Sequence, residues 1–400
     1  MRILVLGNLL FARELQDLGQ DVKTCAFGPQ MKTGIFGPEV RHSQFGTATD
    51  VELTSAPVGI TQVLKELAPW TPEAILLGDG STFPLFPGLE FMPVPLVWFA
   101  MDAHIHARWH THYAPVFDLI FVAQQDYLSY YQSDPSRQRV RWLPLFANGA
   151  YDRCLQLPRQ QDLAFVGTMD PQLNPQRVRF IEQIQAQLPV HVTQGAYLEP
   201  YNRARLVLNQ SVEGEVNFRI FEAMACGAAV LTERIGNGLD TLFQEGTDVV
   251  LYERNSPEDA ARQAQRILAQ PERCQEIARA GMAKVVRHHT SAERAGQILS
   301  ALHEMTPQET IQRRGESLAD IEAHMVQVYD HAAKVHRHHA QQQPDAQHLM
   351  RAVAVYTGMA EAMRNRFNLA PPPNSTSSEN SLNINDRYSP TVDPYPPYAD

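Results

Sequence analysis

Short apolar runs alternate with amphipathic stretches along the first 150 residues of the chain. Residues 2–6 read RILVL, and residues 11–19 carry apolar side chains at helical spacing before a closing glycine. Similar runs predict further strands at 21–26, 74–77, 95–100, 118–122 and 140–144, and helices at 59–67 and 124–132. Strands that alternate with helices in this way predict a doubly wound parallel sheet with helices on both faces.

The same alternation starts again near residue 162. Predicted strands at 163–167, 190–193, 205–209, 228–232 and 248–251 alternate with helices at 174–187 and 217–226. The polar stretch 153–161 contains a proline, which predicts a connection between two α/β domains. Helices are predicted to fill 257–304, starting at Ser256-Pro257, because serine is a favoured N-cap and proline suits the first helical position.

These patterns divide the chain into four parts. We predict a Rossmann-like domain at 1–157, a second at 158–305, a helical extension at 306–370 and a disordered, proline-rich tail at 371–400. The tail has few large aliphatic side chains, so it cannot bury enough surface to offset the entropy of ordering. Two domains also fit the length of 400 residues, which exceeds what one hydrophobic core usually organises.

Charge and cysteine content narrow the function. A net charge of −10 argues against a nucleic-acid binder, because such proteins usually carry a basic face. The 4 cysteines are scattered without a CxxC pair, which favours reduced thiols in the cytoplasm. Charge returns at Arg13 and Glu14, so the N-terminus does not resemble a signal peptide, and we expect no transmembrane segment. A cytoplasmic protein is expected, with a peripheral position at a membrane left open.

The segment NFRIFEAMACG, residues 217–227, has the most informative pattern in the chain. Phe218, Phe221 and Ala225 recur at helical spacing and are predicted to form the buried face of a helix. Gly227 stands where a left-handed C-cap is favoured. The start of such a helix directs unpaired amides and the positive end of its dipole toward an anion.

Two charged residues of this helix suit a nucleotide. Arg219 can make charge-assisted hydrogen bonds to a diphosphate, and Glu222 can accept both hydroxyls of a ribose. Gly214 lies just upstream, where the lack of a side chain lets a ligand approach the backbone. By spacing alone, Arg219 and Glu222 also fit an exposed helical pair that contributes about 0.2–0.5 kcal/mol, and that alternative stays open.

Several segments of the second half resemble one known family. They read FVGTMDPQLNPQRVRFIEQI, YNRARLVLNQSVEGEVNFR, NFRIFEAMACGAAVLTERIGNGLDTLFQEGTDVVLYE and HHTSAERAGQIL. In this order they resemble the C-terminal core of GT-B glycosyltransferases of the spore-maturation (CgeB-like) and family 4 (group 1) type. The resemblance implies an α/β fold with two Rossmann-like, doubly wound parallel-sheet domains that face each other across a cleft, plus C-terminal helices.

The resemblance also implies a function. It predicts a hexosyltransferase-like enzyme that moves a sugar from a UDP or GDP sugar to a hydroxyl of a glycan, lipid or protein. We expect no other cofactor and no metal, since GT-B enzymes generally stabilise the leaving diphosphate with basic groups and a helix end. In family 4 relatives a Glu of the EAMACG helix binds the donor ribose, and Glu222 is its counterpart. Family 4 also favours retention at the anomeric carbon.

The donor-binding residues expected on this basis belong to the second domain. They are Gly167, Thr168, Arg177, Gly214, Glu215, Asn217, Arg219 and Glu222. One departure concerns a second Glu, which family 4 enzymes often carry eight positions before the ribose-binding one. This chain has Gly214 there, between Glu213 and Glu215. Either neighbour substitutes after a small loop shift, or the sugar is handled differently.

Asp102 and His104 are the predicted catalytic residues of the first domain. They follow a strongly apolar strand, and the carboxyl ends of strands are where an open α/β sheet places its chemistry. We expect Asp102 to accept a proton from the acceptor hydroxyl and His104 to donate to the donor sugar or its phosphate. A solvated loop or helix cap is the alternative for each. His106 and His110 share one helical face, but without an HExxH pattern or a third ligand no metal site is expected.

Two alternatives to a transferase stay open. One is an enzyme such as a nucleotide-sugar epimerase, which uses the same fold and needs no acceptor. The other is a catalytically degenerate GT-B protein that serves as an assembly scaffold. The glycine at position 214 favours both alternatives, whereas Arg219, Glu222 and the Asp102/His104 segment favour the transferase.

Overall fold

The computed structural model describes residues 1–27, 49–53, 57–78, 86–132, 136, 138–342 and 347–367. They form two compact units. The first unit contains the residues up to Leu143 together with those from Ile298 onward, and the second contains Pro144–Gln297. The predicted tail at 371–400 lies outside the described residues.

Parallel strands form one sheet in each unit. The strands of the first unit are β1 Arg2–Gly7, β2 Asp21–Phe27, β3 Val51–Leu53, β4 Ala74–Gly78, β5 Leu96–Ala100, β6 Leu119–Val122 and β7 Arg139–Trp142. Those of the second unit are β8 Gln161–Val166, β9 His191–Thr193, β10 Ala204–Leu208, β11 Ala229–Glu233 and β12 Val250–Tyr252. Sequence analysis predicted all of these strands except the short β3.

The helices cover both units. In chain order they are α1 Ala12–Asp17, α2 Ile60–Glu66, α3 Ala103–Tyr113, α4 Pro175–Gln185, α5 Leu198–Arg203, α6 Phe218–Ala225, α7 Leu239–Leu242, α8 Pro257–Leu268, α9 Pro271–His288, α10 Ser291–His303, α11 Pro307–Glu316, α12 Leu318–Gln342 and α13 Gln347–Phe367. The predicted helix at 124–132 is a 3₁₀ segment, Gln125–Tyr131. The stretch after β5, which we treated as a loop, is the helix α3.

The first sheet has the strand order β3-β2-β1-β4-β5-β6-β7, and its described pairs are parallel. Its hydrophobic core contains Trp98 and Ile120 from the strands together with Tyr329 of α12 and Tyr356 of α13. The C-terminal helices therefore complete the core of the first unit.

The second sheet has the order β12-β11-β10-β8-β9, and every pair is parallel. The division between the units falls after Leu143 rather than at the predicted residue 157. A reason lies in Arg294 of α10, which donates hydrogen bonds to the carbonyl oxygens of Pro144 at 2.7 Å and Leu145 at 3.3 Å. These bonds tie the chain before the predicted linker to the second unit.

Candidate functional site

The order of the second sheet opens a crevice at its carboxyl edge. β8 pairs with β9 on one side and with β10 on the other, so the chain leaves the sheet in opposite directions from β8 and β10. Ligands of open α/β sheets bind at such a switch point, outside the carboxyl ends of the strands. Gly167 follows β8 and Asn209 follows β10, and both therefore lie at this edge.

Arg219 of α6 is fixed at the switch point by both strand ends. Its Nε donates to the carbonyl oxygen of Val166 at 3.0 Å, and its Nη1 donates to Asn209 Oδ1 at 2.7 Å and to the carbonyl oxygen of Gln210 at 3.3 Å. The guanidinium carbon also lies 4.8 Å from the centre of the Phe165 ring. Arg219 is thus not part of an exposed helical pair with Glu222, because its side chain points toward the carboxyl edge of the sheet.

Gly167 is required by the close approach of Arg219. A Cβ atom at position 167 would lie 2.9 Å from Arg219 Nη2 and 2.9 Å from the ring of Phe165. Any side chain there would therefore displace the guanidinium or the ring. The next residue, Thr168, is half-buried beside this turn.

Arg177 of α4 brings a second guanidinium to the same place. It is 8% exposed, its Nε donates to Gln210 Oε1 at 2.8 Å, and its guanidinium carbon lies 5.9 Å from the Phe165 ring centre. Burial, aided by the nearby charge of Arg219, lowers its pKa to about 10. Within the described parts of the chain, neither arginine has a carboxylate at ion-pair distance. Two such cations favour an anionic ligand.

The loop before α6 is held by its own polar groups. The carboxylate of Glu215 accepts hydrogen bonds from the backbone amides of Val212 at 3.0 Å and Glu213 at 2.8 Å. The backbone amides of its own loop therefore hold the buried carboxylate of Glu215. The loop does not have to shift to accommodate a negative charge at this position. Gly214 has a φ of +85°, and a Cβ there would lie 3.1 Å from Arg254. The glycine that departs from the family pattern thus suits this backbone.

The start of α6 has a buried polar atom that makes no hydrogen bond within the described residues. Asn217 is the N-cap residue, and its side chain does not cap the helix. Its Oδ1 is buried and accepts no hydrogen bond from the residues that the structure describes. Phe221 and Ala225 are buried as predicted, Phe218 is half-buried, and Gly227 closes the helix with a φ of +76°.

Glu222 lies one turn into α6 and is 8% exposed. Its neighbours include Tyr197 and Tyr201. The pKa of Tyr201 is raised, mainly by burial. The nearby charges of Arg219, which lowers this pKa, and of Glu222, which raises it, both act on the Tyr201 hydroxyl. Glu222 and Arg219 thus share a buried neighbour, and neither belongs to an exposed surface pair.

Asp102 and His104 belong to the first unit, where they begin α3. Asp102 is the N-cap residue, and its carbonyl oxygen accepts the amides of Ile105 and His106, each at 3.1 Å. His104 follows in the first helical turn, and both side chains are half-buried. The segment is therefore a helix start, at which the side chain of Asp102 makes no capping hydrogen bond.

Two other histidines of α3, His106 and His110, are buried in the first unit. His110 is fully buried, and its Nδ1 lies 2.6 Å from the hydroxyl of Tyr131. His106 is 4% exposed, and burial lowers its pKa to about 4. Across the described ranges, no group of three or more His, Cys, Asp or Glu side chains is arranged to hold a metal ion.

Sequence reasoning missed Asn209 and Gln210, which orient both arginines. Asn209 directly follows the apolar strand β10 and Gln210 comes next, and this position was the available signal. It also missed Glu233, the last residue of β11, which is fully buried. A carboxylate at the end of an apolar strand was the corresponding signal there.

Residues 158–300 match the model of a family described as "Glycosyl transferase-like". The matched range contains every donor-binding residue predicted above, from Gly167 to Glu222. No curated protein matches the chain in sequence.

Several solved structures share the fold. HepE from Anabaena in complex with UDP-glucose aligns with a TM-score of 0.58 and 13% identity, covering 76% of this chain and 100% of that one. Sucrose-phosphate synthase from Thermosynechococcus elongatus gives a TM-score of 0.55 and 14% identity, with coverage of 76% and 99%. A glycosyltransferase from Rickettsia africae gives 0.53 and 11%, with coverage of 76% and 98%.

These comparisons confirm the predicted resemblance to GT-B glycosyltransferases. The solved structures show the α/β fold with two parallel sheets, and the family match supports the prediction that the chain is a glycosyltransferase. Among the helices of the described residues, none is both long enough and apolar enough to span a membrane.

Proposed function

We propose that this chain transfers a sugar from a nucleoside-diphosphate sugar to an acceptor hydroxyl, and that its second unit binds the donor. One observation carries the proposal: Arg177 and Arg219 converge on Phe165 at the switch point of the second sheet, with no carboxylate at ion-pair distance among the described residues. A diphosphate supplies the negative charge that two such guanidinium groups favour.

The diphosphate is proposed to lie between these arginines and the start of α6. Amides at a helix start bind phosphate oxygens, and the helix dipole favours their charge. When the bond to the sugar breaks, negative charge develops on the departing diphosphate, and fixed donors of this kind stabilise it. Because the arginines already supply this charge, we propose a reaction that needs no metal ion.

Glu222 is proposed to bind the donor ribose. Its carboxylate stands one helical turn beyond Arg219, and a carboxylate can accept hydrogen bonds from both ribose hydroxyls. UDP sugars are the first donors to test, because the structurally similar HepE forms a complex with UDP-glucose. GDP sugars are the second.

Asp102 and His104 are the proposed catalytic residues of the first unit. Asp102 would accept the proton of the acceptor hydroxyl, and His104 would donate to the sugar or to the developing phosphate charge. We propose a glycan, lipid or protein acceptor, and retention at the anomeric carbon, as in family 4 relatives.

The first experiment measures binding of UDP and GDP by thermal unfolding and calorimetry. We expect one of them to raise the melting temperature of the wild type, and Glu222→Ala to remove most of this shift because the ribose loses its carboxylate partner. Glu182→Ala is the matched control, since Glu182 is an exposed carboxylate on a helix of the same unit. No stabilisation by any nucleoside diphosphate would contradict the proposed function and favour the scaffold.

The second experiment tests a panel of nucleotide sugars for release of diphosphate, with and without a chelator. Release that depends on an added acceptor, and continues in the chelator, is the expected result. Conversion of the donor without any acceptor would favour an epimerase-like enzyme instead.

A further inference from the structure

Glu233, the last residue of β11, is a fully buried carboxylate next to the loop that precedes α6. Its Oε2 accepts hydrogen bonds from the backbone amide of Ser211, at 2.9 Å, and from the hydroxyl of Ser211. In the described parts of the chain, no Lys, Arg or His lies at ion-pair distance, and Oε1 accepts no hydrogen bond. Burial raises the pKa of this carboxyl.

A buried carboxylate without an ion pair is costly, because it loses its hydration. A neutral residue at the end of β11 would avoid this cost. The hydrogen bonds to Ser211, the nearby backbone amide of Asn255 and the charge of Arg254 favour the ionised form and offset part of this cost. Of these contacts, the one to Ser211 leads to the candidate donor site.

Ser211 connects Glu233 to two parts of the candidate donor site, the glycine of the loop before α6 and the pair of arginines. On one side, its Oγ accepts the amide of Gly214 at 3.1 Å, and the carbonyl oxygen of Gly214 accepts Asn237 Nδ2 at 2.8 Å. Both polar backbone atoms of Gly214 are therefore held. On the other side, Ser211 is joined by a peptide bond to Gln210.

Gln210 is the residue on which both arginines meet. Its side-chain Oε1 accepts Arg177 Nε at 2.8 Å, and its backbone carbonyl oxygen accepts Arg219 Nη1 at 3.3 Å. A displacement of Ser211 would move this peptide and change the spacing of the two guanidinium groups. Small errors in such a spacing weaken the binding of a diphosphate, which requires several donors at fixed positions.

We propose that Glu233 is a positioning residue for the donor diphosphate, which acts through Ser211 and Gln210 on Arg177 and Arg219. This inference rests on the proposed function, because it assumes that the two arginines bind the diphosphate of the donor. Glu233 itself touches no ligand in this proposal. It fixes the loop whose peptide group orients the arginines.

The test compares Glu233→Gln and Ser211→Ala with the wild type by calorimetry, using UDP, GDP and the corresponding monophosphates. We expect each variant to raise the Kd for the preferred diphosphate about tenfold, as loss of a charge-assisted hydrogen bond does, and to affect the monophosphate less. The double variant should be no weaker than either single variant, since both changes break the same connection.

The matched control is Glu253→Gln. Glu253 also follows a strand of the same sheet, but it is exposed and shares Arg234 with Glu245. Its substitution should leave the Kd for the diphosphate and the monophosphate unchanged.

The outcomes separate this inference from the proposed function. If the wild type binds no nucleoside diphosphate, the proposed function fails. If the wild type binds but both variants keep its Kd values and differ only in melting temperature, Glu233 is a structural residue and the inference is overturned. Should Glu233→Gln fail to fold, Ser211→Ala alone decides, and an unchanged diphosphate Kd there overturns the inference.

Discussion

Arg314 in the first unit and Arg177 in the second are both buried, and they differ in what they contact. Arg314 in the first unit is 1% exposed, forms an ion pair with Asp118 and donates to the carbonyl oxygen of Val94 at 2.9 Å. Arg177 in the second unit is 8% exposed, and its described partner is the neutral side chain of Gln210. The first arginine has its anion within the protein, whereas the second has no carboxylate at ion-pair distance among the described residues, and we propose that a ligand supplies the negative charge.

This comparison distinguishes a buried charge that stabilises the fold from a buried charge that is proposed to bind a ligand. A buried cation that meets a carboxylate stabilises the fold, and loss of one partner leaves the other charge uncompensated. Lack of a carboxylate partner does not by itself mark a ligand site, since Arg294 of the second unit is 2% exposed and donates to the carbonyl oxygens of Pro144 and Leu145 as part of the fold. Arg177 differs because a second guanidinium, that of Arg219, lies beside the same Phe165 ring. The protein bears a cost for such a group, and a ligand of opposite charge recovers it on binding.

The largest effect is expected from Arg314→Met. It leaves Asp118 without its cation, so we expect the free energy of unfolding to fall by about 3–5 kcal/mol. Denaturant unfolding measures this loss. Arg313→Met is the control. Arg313 precedes Arg314 in the chain, but it is exposed, and its guanidinium lies 3.9 Å from the carboxylate of Glu309. Equal destabilisation by both variants would contradict the assignment of Arg314 as a structural ion pair.

Arg219→Ala is expected to act on catalysis instead. It removes a donor to the departing diphosphate, so kcat/KM should fall about 10²–10³-fold, as it does when a transition-state donor is removed. Steady-state kinetics with the active nucleotide sugar measures this. Arg179→Ala, an exposed arginine on α4, should retain wild-type kinetics. A similar loss of kcat/KM in both variants would mean that the overall positive charge matters, and would contradict a specific role of Arg219 at the diphosphate.

The smallest effect concerns the pH dependence of stability. Burial lowers the pKa of His106 to about 4, whereas an unfolded histidine titrates near 6.5. Between these values the unfolded state binds more protons, so the free energy of unfolding should fall with decreasing pH, by at most about 1.4 kcal/mol per pH unit for this group.

The measurement compares urea unfolding of the wild type and His106→Asn from pH 7 to pH 4. The variant should lose part of the acid dependence, while His303→Asn, at an exposed position, should not. Identical pH profiles for the wild type and His106→Asn would mean that His106 does not titrate in this buried, neutral form.

Sequence periodicity predicted the strands well because parallel strands are buried on both faces and appear as continuous apolar runs. It predicted α6 with its buried Phe221 and Ala225, and the left-handed Gly227. The helix α3 was missed because histidines interrupt its pattern, and only the structure shows that His106 and His110 are buried.

The candidate site was predictable in part. The family resemblance suggested nucleotide-binding roles for Arg219 and Glu222, and these roles stay predictions. The meeting of Arg177 with Gln210 could not be predicted, because 33 positions separate them in the chain and only the strand order of the sheet brings them together. For Glu215 the charge suggested a ligand contact, yet its carboxylate accepts amides of its own loop.

The contribution of α12 and α13 to the first core has a consequence for synthesis on the ribosome. Pro144–Gln297 is translated as one uninterrupted stretch, so the second unit has its whole sheet before the last helices exist. Tyr329 and Tyr356 belong to the core of the first unit, so this core is complete only after α12 and α13 have been made. The unit whose synthesis begins first therefore completes its core last, and part of its apolar surface stays uncovered until then.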